Sequence, residues 1–185
     1  MAAPVKKPMT AAEFLRWAEG AERRRSELFR GEIVAMAPER AEHGRAKAHI
    51  WRALADAIAR ANAPCEAFVD SLGVAVDEHT VYEPDALVNC GAPVPRDSLL
   101  APAPVIVVEV ISPSSRSLDT NVKLSDYFRL DSVAHYLVVD TGRRLVLHYA
   151  RREGEIAVTF VKDGVIALDP PGLSLALADI FPQPD

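Results

Sequence analysis

Seven consecutive positions from Val105 to Ile111 read Val-Ile-Val-Val-Glu-Val-Ile, a β-branched run that predicts a strand deep in a sheet. Alternation sets Val105, Val107, Glu109 and Ile111 on one face and Ile106, Val108 and Val110 on the other, and neither face reads as wet. Ser112-Pro113-Ser114-Ser115 then breaks the strand, Ser115 or Ser117 can cap a helix, and the period turns helical from Leu118 to about Leu130. Asp119, Lys123 and Tyr127 fall four apart on one side of that helix, while Leu124 and Phe128 form a stripe that can pack on the sheet.

The same two rhythms assign the rest of the chain. Thr10-Ala11-Ala12-Glu13 is a capping box for a short helix ending near Gly20, with Phe14, Leu15 and Trp17 on its apolar side. Glu27 to Met36 reads as two short strands around Gly31. From Glu42 to Ala61 the stripe Ile50, Leu54, Ala57, Ile58 and Ala61 predicts the clearest helix. Cys65 to Asp77 alternates around Gly73 as one or two strands, and Ala86 to Val88 continues a strand that Pro84 can open. Ala134 to Asp140 is a further buried strand, Arg144 to Ala150 and Ile156 to Val161 form a hairpin, and Asp163-Gly164 turns into Val165 to Leu168. The tail LSLALADIF reads as a short amphipathic cap. Strands and helices interleave without repeat or linker. A mixed α/β (α+β) architecture in one domain, 1–185, is expected.

Composition narrows this only a little. Apolar residues make up 49% and charged residues 25%, ordinary for a folded domain. The 21 basic against 26 acidic residues give a net charge of −5, which excludes a dedicated nucleic-acid coat but not a local basic groove. Cys65 and Cys90 form no CxxC pair, so free thiols in a reducing cytosol are expected. No apolar run reaches the ~18–20 residues of a membrane span and the N-terminus lacks a secretion signal, so a cytoplasmic protein is expected.

The chemistry gathers around Glu109. An isolated carboxylate in a dry interior costs several kcal/mol, so it must be protonated, paired or neutralised by a metal. Asp85 ends the loop before one strand and Glu109 lies in the next, so adjacent strands can bring the two acids together. Two such carboxylates are what Mg²⁺ or Mn²⁺ asks for, with water and a substrate phosphate completing the shell. Lys123 can orient the attacking water, though Asp119 is also an ordinary i,i+4 partner for it. Glu27, His43, Asp119 and Tyr127 are possible further members. Read alone, Glu27 is a surface acid pairing with the arginines before it, His43 a solvated or capping residue whose six-residue separation from His49 makes no metal pair, and Tyr127 a core residue. The clusters Arg23 to Arg25, Arg143-Arg144 and Arg151-Arg152 read as solvated faces.

ELFRGEIVAM, His43 at a helix start, Pro84-Asp85, VVEVISPSS, then Asp119, Lys123, Tyr127 and HYLVVD together resemble the Uma-two (Uma2) family of restriction endonucleases over nearly the whole chain. The resemblance implies a restriction-endonuclease-like core, a mixed sheet flanked by helices. It also implies Asp85 and Glu109 as ligands of Mg²⁺ or Mn²⁺, Lys123 as the catalytic ammonium and Glu27 as a helper acid. Where the wider superfamily places a lysine two residues after the strand acid, this chain has Ile111, and Lys123 on the following helix takes its place. DNA is the implied substrate; a homodimer is expected because a double-strand cut needs two sites and two-fold dimers are the commonest oligomers, and a catalytically inactive binding or assembly module is the alternative.

Overall fold

In the computed structural model, described for residues 7–20, 25–111 and 119–182, with only the backbone of Asp119 and Thr120, the Glu109 strand occupies the middle of the largest sheet. This strand, β7 (Pro104–Ile111), pairs antiparallel with β6 (Ala86–Cys90) and parallel with β8 (His135–Asp140). β3 (Cys65–Val69) flanks β6, while β9 (Leu145–Arg152) and β10 (Glu155–Val161) extend the other side, giving the order β10-β9-β8-β7-β6-β3. The sheet is mixed because the β7–β8 step is parallel, and its connection carries α3 (Asp119–Tyr127) across one face.

The alternation read along β7 holds from Ile106 to Ile111, while Val105, read on the Glu109 face, packs instead against the opposite core. Ile106, Val108 and Val110 enter a core with Ile50, Ala53, Leu54 and Ala57 of α2 (Ala41–Ala61). That core is closed by the hairpin β11 (Val165–Leu168) with β12 (Leu173–Ala176) and by α4 (Leu177–Ile180). Val107, on the Glu109 side, packs with Tyr127 and Phe128 from the α3 end and with Leu72, Val74 and Tyr82. A smaller sheet, in the order β2-β1-β5-β4, stands beside this second core. It consists of β1 (Ser26–Phe29), β2 (Glu32–Ala35), β4 (Val74–Asp77) and β5 (Thr80–Tyr82), with α1 (Ala11–Gly20) packed on it through Phe14.

Local signals explain most element ends. Thr10 and Glu13 form the reciprocal capping box that starts α1, with Thr10 N–H donating to Glu13 Oε2 and Glu13 N–H to Thr10 Oγ1. Arg30, with φ of 51°, and Gly31, with φ of 83°, are the two left-handed residues of the β1–β2 turn. Asn62 ends α2 in the same region, its N–H turned back to the Ala59 carbonyl. Three expectations change. α3 stops at Tyr127 rather than near Leu130, where turn hydrogen bonds from Arg129 and Leu130 take over. The tail's first half is strand β12, because Leu173 and Leu175 alternate with exposed Ser174 against β11. Cys65 and Cys90 are not free thiols but a disulfide, since the β3–β6 register sets them directly opposite. The Ser115 or Ser117 cap lies outside the described residues. No described helix is long and apolar enough to cross a membrane.

A buried histidine pair ties β8 to β9. His135 Nε2–H donates to the Pro170 carbonyl at 2.9 Å, which leaves Nδ1 to accept from His148 Nε2–H, also at 2.9 Å. Burial disfavours the charged ring in both, holding His135 below its usual value and His148 at about 4. The unfolded chain therefore takes up protons near pH 6.5 that the folded one refuses until about pH 4, so this contribution to stability is complete above pH 6.5 and is lost as pH falls to about 4. The drop in urea midpoint between pH 7 and 4.5 is expected to be smaller in His148→Gln than in the parent. An equal drop in both would place the acid sensitivity elsewhere.

Candidate active site

Asp85 directly precedes β6, whose Ala86 pairs with Val108, and it lies near enough for its charge to act on the Glu109 carboxyl. Pro84, having no N–H, ends the link from β5 without wasting a donor, and Asp85 Oδ2 accepts the Val110 N–H at 2.7 Å. Asp85 is 4% exposed. Burial alone would push it up, but the His43 hydrogen bond, the Val110 N–H and the Lys47 charge hold its carboxyl below the usual range.

Glu109 projects to the α3 side of the sheet with its side chain 13% exposed. Lys123 Nζ donates to its Oε1 at 3.1 Å and the Tyr127 hydroxyl donates to the same oxygen at 2.9 Å. The four-residue spacing on α3 is what delivers both donors to one acceptor. Lys123 is buried, also donates to Glu27 Oε1 at 2.8 Å, and lies 5.1 Å from the Tyr82 ring centre. Burial raises the Glu109 carboxyl to about 7; Lys123 opposes this, while Asp85 and Glu27 reinforce it. Burial and the neighbouring Glu109 charge likewise push the Tyr127 hydroxyl well above its usual value, so it stays a donor.

Glu27 is not the surface partner of the preceding arginines that its local sequence suggests. It is 7% exposed, bonded to Lys123, and accepts the Glu83 N–H at 2.9 Å, because β1 pairs with β5 and turns it inward. His43 is likewise not a solvated cap. Its Nε2 faces Asp85 Oδ1 at 3.3 Å, and that hydrogen bond raises its affinity for a proton. The Asp119 side chain lies outside the described residues.

Behind Asp85 is a charge cluster that the sequence reading missed. Lys47, one turn after His43 on α2 and only 2% exposed, bonds Glu39, reaches Asp70 at 2.6 Å and lies 3.6 Å from Asp85. Arg25 joins Glu39, Asp70 (2.7 Å) and Glu83 (3.2 Å), so it belongs to this network rather than to a solvated face; Arg23 and Arg24 lie outside the described residues. Arg151 is also committed, donating to the carbonyls of Phe128, Leu130 and Val133.

Two donor sets could take a cation. Asp85 with Glu109 offers hard oxygens beside Lys123, which Glu109 shares with Glu27, and the charge on Glu109 is opposed by burial and by Asp85 and Glu27. Ligand atoms of Glu39, His43 and Asp85 also lie within 4.8 Å of one another, but both Glu39 oxygens are already engaged, one by Arg25 and one by Lys47. The Asp85 oxygens are engaged as well, by His43 and the Val110 N–H, so both sets hold oxygens already hydrogen-bonded within the protein.

Comparison with known proteins bears on the fold and the family. The chain is 30% identical over 148 residues to an uncharacterized protein of Synechocystis sp., a match spanning 78% of this chain and 82% of that one. A crystal structure described as a "putative nuclease belonging to DUF820" from Anabaena variabilis superposes with a TM-score of 0.71 at 20% identity, covering 94% of this chain and 98% of the other. The shared fold is the restriction-endonuclease-like mixed sheet flanked by helices. Residues 11–178, which include every acid and lysine of the site, match the sequence profile of the Uma2 family, described as "Putative restriction endonuclease", and the chain belongs to that family.

Proposed function

We propose that this protein is a divalent-metal-dependent endonuclease that hydrolyses phosphodiester bonds in DNA. The observation that carries the proposal is Glu109, a carboxylate in the centre of a sheet whose charge is opposed by burial, by Asp85 and by Glu27, and relieved only in part by Lys123. Such a group is costly to keep for packing alone, and perturbed carboxyls of this kind cluster at functional sites. The family description and the nuclease title of the solved relative support the reaction class.

In this reading Asp85 and Glu109 hold Mg²⁺ or Mn²⁺, which when bound polarises the phosphate and acidifies a coordinated water. Tyr127 and the Val110 N–H fix the two carboxylates in orientation. Lys123, anchored by Glu27, brings a positive charge to the edge of the acids, where negative charge grows on the phosphate. Glu27 in turn is held by the Glu83 N–H, so the helper acid positions the lysine rather than the substrate. A double-strand cut needs two such sites, which a homodimer of this single domain supplies.

A second reading, a binding module without turnover, draws on the fact that Asp85 and Glu109 are both already hydrogen-bonded by protein groups. The two readings separate in one set of measurements. The nuclease reading expects supercoiled plasmid to be nicked or linearised in Mg²⁺ or Mn²⁺, protected by a chelator, and left intact by a folded Asp85→Asn variant. Absence of divalent-ion binding by calorimetry up to millimolar concentration would sink it in favour of the binding module.

A further inference from the structure

A cavity of about 500 Å³ lies beside the acids, between α1 and the start of β1 on one side and the β3–β4 and β5–β6 links on the other. We infer that it receives one unstacked nucleobase of a DNA strand, with bases carrying an exocyclic amine preferred over thymine. The ligand class rests on the nuclease reading; the shape and polarity of the cavity do not.

The volume suits a compact ligand of this kind. One wall is aromatic. Phe14 and Trp17 stack with ring centres 5.8 Å apart and planes 26° from parallel, and Trp17 is 38% exposed, which leaves ring surface for a base to lie on. The facing wall holds Arg25, Asp70 and Glu83. Its guanidinium is spent, since Nη1, Nη2 and Nε of Arg25 each face a carboxylate, of Glu39, Asp70 and Glu83. Asp70 is matched by both Arg25 and Lys47, so the uncompensated negative charge of this wall rests on Glu83, which repels a phosphate and favours N–H donors. The exocyclic amino groups of cytosine, adenine and guanine are such donors, whereas thymine offers only its imide N3–H, flanked by two carbonyl oxygens that a carboxylate repels. Glu83 spends Oε1 on Arg25. Its other oxygen is the acceptor we assign to the base.

The cavity adjoins the site acids through Tyr82 and Glu83. Tyr82 lines it and lies 5.1 Å from Lys123 Nζ, and the next residue, Glu83, donates its N–H to Glu27. A strand whose base enters the cavity therefore carries its adjoining phosphate towards the Lys123 side of Tyr82.

The test uses the full chain with Trp51→Phe, which leaves Trp17 as the sole tryptophan of the two present. Short single-stranded oligomers of deoxycytidine, deoxyadenosine or thymidine are titrated in chelator, where no turnover intervenes. Quenching of Trp17 emission is expected, with tighter binding of the cytosine and adenine oligomers. Trp17→Ala should weaken binding about tenfold or more, Trp17→Phe should restore most of it, and Glu83→Gln should narrow the preference against thymidine. Unquenched Trp17, or equal binding by Trp17→Ala and the parent, overturns the inference. Metal-dependent cleavage that persists beside that result leaves the nuclease reading standing. Quenching in a protein that cleaves nothing would retain the base site and remove the nuclease.

Discussion

Glu109→Gln is expected to abolish metal-dependent cleavage, with a fall of about a thousandfold or more, while raising the stability of the metal-free protein. The amide keeps the shape and can still accept from Lys123 and Tyr127, which now meet at Oε1. It cannot supply the negative oxygen a divalent ion needs, and a thousandfold corresponds to about 4 kcal/mol of transition-state stabilisation. Stability moves the other way for a stated reason. The folded carboxyl ionises near 7, whereas the unfolded one ionises near 4.5. The folded state thus holds the extra proton between those values, and stability falls as pH rises through that window. Glutamine removes the group, so thermal unfolding at pH 8 without metal should show a gain on the order of 1–2 kcal/mol that vanishes at pH 4. A variant that still cleaves, or one less stable than the parent at pH 8, would contradict the role assigned to this charge.

Lys47→Met is expected to cost about 3–5 kcal/mol of folding stability, the largest structural penalty of any single change at the site. The ammonium is 2% exposed and sits among Glu39, Asp70 and Asp85. Methionine fills the same stem but leaves those carboxylates short of one cation, with Arg25 shared by Glu39 and Asp70 and His43 left to Asp85. Lys47 also helps hold the Asp85 carboxyl low, so the variant should need a higher pH for any metal-dependent activity that survives. Urea unfolding measures the first effect. A loss below about 1 kcal/mol would mean that solvent screens the cluster. Adding Asp85→Asn to Lys47→Met should recover part of the loss, because it removes one of the stranded charges.

The acids were legible in the sequence because they violate a local pattern. Glu109 interrupts a β-branched run and Asp85 follows a proline at a strand start, and the alternation that sorted the faces of β7 matches, from Ile106 onward, the two cores on either side of it. Lys123 and Tyr127 were legible because one helical face carries both. Lys47 was missed although its position carries a clue. It lies three residues before Ile50 and seven before Leu54, on the buried stripe of α2, where a lysine is as anomalous as Glu109 is in its strand. Glu27, Glu39, Asp70 and Arg25 had no such clue. Their partners lie far along the chain, and only the pairing of β1 with β5 and the packing of α2 bring them together. The cysteines show the same limit, since the opposition of Cys65 and Cys90 follows from the β3–β6 register rather than from their spacing.

One step of the large sheet, β7 to β8, runs parallel, and its connection contains α3. Chirality leaves such a crossover little choice, because a right-twisted strand leading into a right-handed helix returns over one side of the sheet only. The lysine thus arrives where the glutamate points through handedness, ahead of any attraction between their charges. Swapping the two residues between β7 and α3 should keep them in contact, whereas moving the glutamate by a single place along β7 would turn it to the opposite side and separate them.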